Sequence, residues 1–290
     1  MLQIRRASTL DGGDYGWLKA RHHFAVSADG NRDHGPIGSL LVWNDDEVAP
    51  GTGFGLHGHA NMEIITYVRE GAVTHRDSVG NVGQTMAGDV QVISAGTGIR
   101  HSEHNLGEVP LRLFQIWLRP RADGGAPRWS AQRFPKADRA NRWVALASGI
   151  SGDDGALPIR ADARVLGATL LAGAAIDYEL GMQRKAYLAP AQGAAMINGQ
   201  ILQVGDGIAI WNEQKLTVST DAGAELILVD TVEPVRRAGG GRSGSVESLV
   251  RMASDAREVV KCARRRWAFS ERAGAAVRKI GVLPPTSGRR

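Results

Sequence analysis

The chain has 290 residues, of which 43% are hydrophobic. This length and composition are typical of a globular protein with one large domain or two domains of about 100–120 residues each. Its one cysteine, Cys262, excludes an intrachain disulfide and favours a reducing compartment. No apolar run reaches the ~20 residues that a membrane span needs, and residues 1–16 lack a signal-peptide core, so we expect a cytoplasmic protein without membrane association.

The formal net charge of +5 is concentrated at one end of the chain. Residues 237–290 contain 13 Lys and Arg against 4 Asp and Glu, whereas residues 1–236 contain 22 against 26 and are mildly acidic. Apolar residues recur at near-helical spacing from Val246 to Ala263, before the basic run Arg264–Arg266. We therefore predict a basic tail, partly helical or disordered, and no nucleic-acid partner except through that tail.

Residues with metal-binding chemistry are concentrated in Gly51–Asn105, which contains five of the eight histidines. Two short patterns stand out there, His57-x-His59 and His101-x-Glu103. On a β-strand, side chains two residues apart point to the same face, so each pair can reach one point in space. If the two strands face each other across a small barrel, both pairs converge on a single ion. Three imidazoles and one carboxylate suit iron, nickel, copper, manganese, cobalt or zinc, and do not suit calcium or magnesium.

The glycines around these patterns resemble the two sequence motifs of the cupin superfamily. Gly51 is followed by five residues and then by the first histidine pair. Gly88, Gly96 and Asn105 stand at the spacing of the second motif, although Ser94 stands where many cupins have proline. Glycines at such positions are typical of tight turns and close backbone approaches.

The chain is identified more closely as a member of the pirin family, by blocks that are dense from Ile4 to about Pro120 and weaker to about Val232. The blocks are Gly16–Leu18, Arg21–Phe24, Val42–Asp46, Met62–Val68, His75–Ser78, Ser94–Glu103 and Gln115–Trp117. This resemblance implies an all-β bicupin, with two antiparallel, jelly-roll-like β-barrels packed together and one non-haem metal in the N-terminal barrel. The metal ligands that it implies are His57, His59, His101 and Glu103.

We predict three segments: a metal-binding barrel at 1–128, a second barrel at 129–236 and the basic tail at 237–290. Short alternating strands separated by Gly, Asp and Asn run from Trp143 to Val232, which is typical of a β-barrel. The pattern Gly-Gln-x3-Gly-Asp at 83–89 recurs, one residue longer, at 199–206 and indicates a duplicated barrel. Because no histidine follows His104, the second barrel is predicted to bind no metal.

The residues alone leave the carboxylate ligand open, because Glu63 shares strand parity with the first histidine pair and many cupins use a glutamate there. The pirin resemblance favours Glu103 as the ligand. Glu63 is then expected to orient a ligating imidazole through its other nitrogen or to line the pocket. The pocket is also predicted to be framed by Phe54, Met62 and Phe114. Of the other histidines, His75 and His104 are expected to have structural roles away from the metal.

The pirin resemblance implies quercetin 2,3-dioxygenase chemistry, with Fe2+ as the expected metal and with O2 and a small aromatic molecule as substrates. In that reaction the flavonol 3-hydroxyl loses a proton and binds the metal, dioxygen adds across the heterocycle, and carbon monoxide leaves. Glu103 is the predicted base. The alternative is a non-catalytic regulator that docks on protein partners and changes shape with the oxidation state of its metal. A cupin isomerase or epimerase is disfavoured, because such cupins often work without a metal.

Overall fold

The structure, a computed structural model of the chain, describes residues 1–25 and 30–233. The basic tail predicted at 237–290 lies outside these residues. In these two ranges, regular structure is almost entirely β-sheet, with three short 3-10 helices at Ala7–Thr9, Arg32–His34 and Lys136–Arg139. In the part of the chain that the structure describes, no helix is long and apolar enough to span a membrane.

The strands, in chain order, are β1 (Leu2–Arg5), β2 (Asp11–Asp14), β3 (Leu18–His22), β4 (Leu40–Val48), β5 (Gly53–His59), β6 (Glu63–Glu70), β7 (Ala72–Asp77), β8 (Val82–Met86), β9 (Val90–Ser94), β10 (Ile99–His104), β11 (Leu111–Leu118), β12 (Arg128–Gln132), β13 (Val144–Ser148), β14 (Leu157–Pro158), β15 (Ala163–Leu170), β16 (Ala175–Glu179), β17 (Lys185–Gly193), β18 (Ala195–Ile197), β19 (Gln200–Leu202), β20 (Gly207–Trp211), β21 (Lys215–Ser219) and β22 (Ala224–Thr231).

The first half of the molecule is a barrel of two sheets. A seven-stranded sheet has the order β12-β9-β6-β11-β4-β3-β2, and a four-stranded sheet has the order β5-β10-β7-β8. The sheets close on a shared interior, where Val68 and Leu113 of the larger sheet pack with Val73 of the smaller one. The central strands β6 and β11 are apolar along most of their length because the larger sheet is covered on both faces.

The second half repeats this arrangement, except that its outermost strands β13 and β14 are parallel where β2 and β3 are antiparallel. Its seven-stranded sheet has the order β1-β20-β17-β22-β15-β13-β14, and its four-stranded sheet has the order β16-β21-β18-β19. The recurring Gly-Asp turn precedes equivalent strands, since Gly88 (φ 89°) comes before β9 and Gly205 (φ 90°) before β20. Both positive φ angles favour glycine. The predicted all-β bicupin fold is therefore confirmed.

The predicted boundary at 128/129 differs from the observed pairing of the edge strands. β1, at the start of the chain, pairs with β20 in the second half, and β12 pairs with β9 in the first half. The boundary therefore falls inside a strand of the first barrel, and each barrel is completed by a strand from the other side of the division. Such long-range pairing leaves no mark in local sequence, because an edge strand can pair with any exposed edge of suitable register.

The two large sheets pack face to face, and their outer faces form the main core of the protein. Trp43 and Phe114 from the first half lie against Tyr187 from the second, with the Trp43 ring centroid 5.2 Å from each of the other two. Arg139 crosses this core and donates to the Tyr67 hydroxyl and the Glu225 carboxylate, both at 2.8 Å. All of these side chains are buried, so the halves are joined by both apolar and ionic contacts.

The interiors of the two barrels differ in chemistry. By strand order, β16 and β21 are the equivalents of β5 and β10. Ile176, Leu216 and Val218 on these strands pack in an apolar cluster with Tyr178. In the described residues, the histidine-bearing interior therefore belongs to the first half.

Candidate metal centre

The two histidine patterns lie on neighbouring strands of the four-stranded sheet. β5 and β10 pair antiparallel, with His101 opposite His57 and Ile99 opposite His59. The sequence predicts strands that face each other across the barrel, and this is wrong. The strands are adjacent in one sheet, and this adjacency brings the two patterns together. A Cβ atom at Gly53 would lie 2.3 Å from the carbonyl oxygen of Glu103, so the close approach of these strands requires glycine there.

Three imidazoles gather on the inner face of this sheet. The ring centroids are 4.8 Å apart for His57 and His59, 4.3 Å for His57 and His101, and 5.1 Å for His59 and His101. One ring nitrogen from each lies within 4.8 Å of the others. Nδ1 of His57 donates a hydrogen bond to the backbone oxygen of Gly55 at 2.7 Å, which leaves Nε2 of His57 free to bind a metal. Trp117 packs against His59 with its ring centroid at 4.9 Å.

The electrostatics of the cluster fit a transition metal. Burial lowers the pKa of all three histidines, to about 3 for His59, so each imidazole is neutral at physiological pH. Both ring nitrogens of His101 are buried and have no hydrogen-bond partner among the described residues. Buried polar atoms normally have partners, and convergent neutral imidazoles are the donors that zinc, copper, iron and nickel accept. The residues of this cluster can therefore hold a divalent transition metal.

Glu103 stands next to the cluster and is 3% exposed. One of its carboxylate oxygens lies within 4.8 Å of ligand nitrogens of His75 and His101, a second group that shares His101 with the first. Burial raises the pKa of Glu103 to about 7, against the opposing effect of hydrogen bonds from Gln115 and Gln91. The binding of one ion by all four predicted ligands remains a prediction.

His75 is the residue near the site that the sequence argument missed. It was expected to be structural, but it lies directly opposite Glu103 in the register of β7 and β10, with its ring centroid 5.4 Å from that of His101. Its Nε2 is 3.0 Å from the Asp77 carboxylate, and its ring stacks on Trp129 at 5.0 Å. The alternation of β7 was visible in the sequence, but its pairing with β10 was not. His104 belongs to neither group of candidate ligands in the described residues.

Glu63 does not face the histidines. It shares a face of β6 with Ile65 and Tyr67, which pack in the core between the halves, and its carboxylate accepts a hydrogen bond from Ser94 Oγ at 2.6 Å. The prediction that Glu63 supports the site or lines its pocket is therefore wrong. Strand parity with the histidine pair is lost because the chain turns between β5 and β6, where Asn61 has a φ of 52°.

The three predicted pocket residues occupy different places. Phe114 points away from the site into the core between the halves, because it is adjacent in β11 to Gln115, whose side chain reaches Glu103. Phe54 lies opposite Glu103 in the register of β5 and β10, near the site. Met62 is buried in the apolar cluster that contains Trp117, which covers His59.

The chain contains two cupin barrels in tandem and is therefore a bicupin, with the convergent histidines inside the first barrel. The family model described as Pirin matches residues 3–118, and the model described as Quercetinase C-terminal cupin domain matches residues 145–231. A pirin-like protein of Caulobacter vibrioides is 53% identical over 230 residues, which cover 79% of this chain and 99% of the relative. The chain belongs to the pirin family.

Proteins of Escherichia coli extend the comparison. A quercetin 2,3-dioxygenase of strain K12 is 36% identical over 231 residues, 79% of this chain and 98% of the relative. The crystal structure of YhhW has a TM-score of 0.76 at 36% identity and covers 82% of this chain and 100% of YhhW. Bacterial pirin YhhW in complex with nickel(II) has a TM-score of 0.75 at 35% identity and covers 80% of this chain and 100% of that one.

Proposed function

We propose that this protein is a metal-dependent dioxygenase of the pirin type, which cleaves a flavonol or a related enolic aromatic with O2. The observation that carries the proposal is the gathering of the three neutral imidazoles of His57, His59 and His101. The two ring nitrogens of His101 have no partner among the described residues. The family relatives named quercetin 2,3-dioxygenase support the reaction class.

The donor set defines the cofactor that we propose. His57, His59 and His101 would supply nitrogen atoms and Glu103 a carboxylate oxygen to one divalent transition metal, for which Fe2+ is our first candidate. Nickel is the second, because the related E. coli pirin structure contains nickel(II). Such a metal would supply Lewis-acid chemistry at an enolic hydroxyl of the substrate.

The chain's own groups would bind and deprotonate the substrate. The imidazoles of His57 and His59 line one side of the site, and Trp117 covers His59 as an apolar wall for a planar ring. Glu103 lies on the other side of His101, and we assign it the role of accepting the proton of the substrate hydroxyl. His59, Trp117 and Glu103 are buried, which would limit the access of water to the reacting ring.

Dioxygen uptake with quercetin tests the reaction directly. We expect the protein reconstituted with Fe2+ or Ni2+ to consume O2 only when quercetin is present, and to release carbon monoxide in equal amount. Bound metal without O2 uptake, over a panel of flavonols and catechols, would contradict the enzymatic proposal. That result would favour a regulator that uses its metal without turnover.

A further inference from the structure

A row of polar side chains crosses the inner face of the seven-stranded sheet beneath Glu103. In the strand register, Asn44 lies opposite Gln115, Gln115 opposite Thr66, and Thr66 opposite Gln91. The next row on the same face, towards His59, is apolar and contains Trp117 opposite both Ile64 and Val42. A polar row inside a barrel is costly unless its members are hydrogen-bonded, so its partners indicate what it does.

Two glutamines of this row hold the two oxygens of one carboxylate. Nε2 of Gln91 donates to Oε1 of Glu103 at 2.5 Å, and Nε2 of Gln115 donates to Oε2 at 2.8 Å. Nε2 of Gln91 also donates to the Thr66 hydroxyl, at 3.4 Å. Because each oxygen has its own amide donor, rotation of the carboxylate would break both amide bonds at once. The glutamines therefore define the plane in which Glu103 presents its oxygens.

Two tryptophans fix the orientation of the glutamines in turn. Nε1 of Trp117 donates to Oε1 of Gln115 at 3.0 Å, and Nε1 of Trp129 donates to Oε1 of Gln91 at 3.2 Å. An indole N–H can only donate, so each amide must turn its oxygen to the indole and its NH2 group to Glu103. Without the Trp117 indole, the Gln115 amide could turn its oxygen to the carboxylate and repel it, whereas the amide oxygen of Gln91 also accepts a hydrogen bond from the Thr85 hydroxyl at 3.2 Å.

The same indoles also pack on the imidazoles of the site. Trp117 contacts His59 edge-on at a centroid distance of 4.9 Å, and Trp129 stacks on His75 at 5.0 Å. One indole therefore lies on each side of Glu103. The orientation of the carboxylate and the placement of the rings are therefore set by shared residues. We call Gln91, Gln115, Trp117 and Trp129 the carboxylate brace.

We propose that the carboxylate brace positions Glu103 as a metal ligand, so that Gln91, Gln115 and the two indole N–H groups are positioning residues of the metal centre. This inference rests on the proposed metal-binding function. Residues that orient a metal ligand typically contribute about 10–100-fold to metal affinity. A wall of aromatic side chains that only packed against the site would not require the indole N–H groups.

The substitution Trp117→Phe tests the brace because it removes the indole N–H and keeps an aromatic ring against His59. The matched control is Trp143→Phe in the second half, where the indole N–H has no hydrogen-bond partner among the described residues. The probe is Co2+, and the readouts are its affinity by chelator competition and its visible absorption spectrum, which reports ligand geometry. We expect Trp117→Phe to weaken binding about 10–100-fold and to shift the spectrum, whereas Trp143→Phe leaves both unchanged.

A second variant keeps the test decisive if Trp117→Phe does not fold. Gln115→Leu removes the amide donor at a half-buried position, and we expect it to reproduce the loss of affinity and the spectral shift. If either folded variant bound Co2+ with wild-type affinity and gave the wild-type absorption spectrum, the proposed role of the carboxylate brace would be overturned. A wild-type protein that binds no Co2+ would overturn the metal centre itself, so the two failures are distinguishable.

Discussion

Replacing His101 with alanine is expected to abolish metal binding, with an affinity loss of at least about 100-fold, because even residues that only support a ligand contribute about 10–100-fold. His101 is the residue that the two groups of candidate ligands share, and its ring lies closest to that of His57. Its loss removes a nitrogen donor and leaves Glu103 without the imidazole that links it to His57 and His59. The measurement is the metal content of the reconstituted variant, together with O2 uptake in the presence of quercetin.

His104→Ala provides the matched control for that experiment. His104 lies on the same strand as His101 but belongs to neither group of candidate ligands in the described residues. We expect this variant to retain its metal and its O2 uptake. Equal metal content in the His101→Ala variant and the wild type would contradict the assignment of the site.

Replacing Arg139 with methionine is expected to lower the free energy of unfolding by about 3–5 kcal/mol, the usual cost of removing one partner from a buried ion pair. Arg139 is 1% exposed, and it donates to Tyr67 of the first half and to Glu225 of the second. Without Arg139, the Glu225 carboxylate remains buried between the halves with a weaker charge partner. Urea denaturation measures the change.

Lys136→Met removes the other positive partner of Glu225 and is the control. The Lys136 ammonium is 2.9 Å from that carboxylate, but the Lys136 side chain is 42% exposed, so solvent screens this contact and it contributes less than the fully buried Arg139 contact. We expect a small effect from this variant. If Lys136→Met and Arg139→Met were equally destabilising, the burial of the Arg139 contact would not be what stabilises the interface.

The candidate ligands could be predicted from the sequence because their spacing has a direct physical meaning. Side chains two residues apart on one strand point to the same face, and the rings of His57 and His59 do lie together, with centroids 4.8 Å apart. The motif glycines at 51, 88 and 96 all have positive φ angles, which favour glycine, so the barrel motifs were also visible in the sequence. The repeated Gly-Asp turn indicated the duplication that the strand order confirms.

The sequence predictions failed at residues whose positions depend on pairing between distant strands. Glu63 is an even number of residues from His57 and His59, but the turn at Asn61 separates their strands. Its strand β6 lies in the seven-stranded sheet, and the Glu63 side chain faces the second half. Phe114 was assigned to the pocket although its neighbour Gln115 occupies the inward position. The proximity of His75 to Glu103, and the pairing of β1 with β20, depend on register across strands and leave no local signal.

The central claim is that the first barrel holds one transition metal among the histidines of β5 and β10. The most direct measurement is an anomalous difference map at the nickel absorption edge, from crystals of the protein loaded with Ni2+. We predict one peak per chain, in contact with ring nitrogens of His57, His59 and His101 and with a carboxylate oxygen of Glu103. A map without a peak at these residues, or with its peak in the second barrel, would contradict this account.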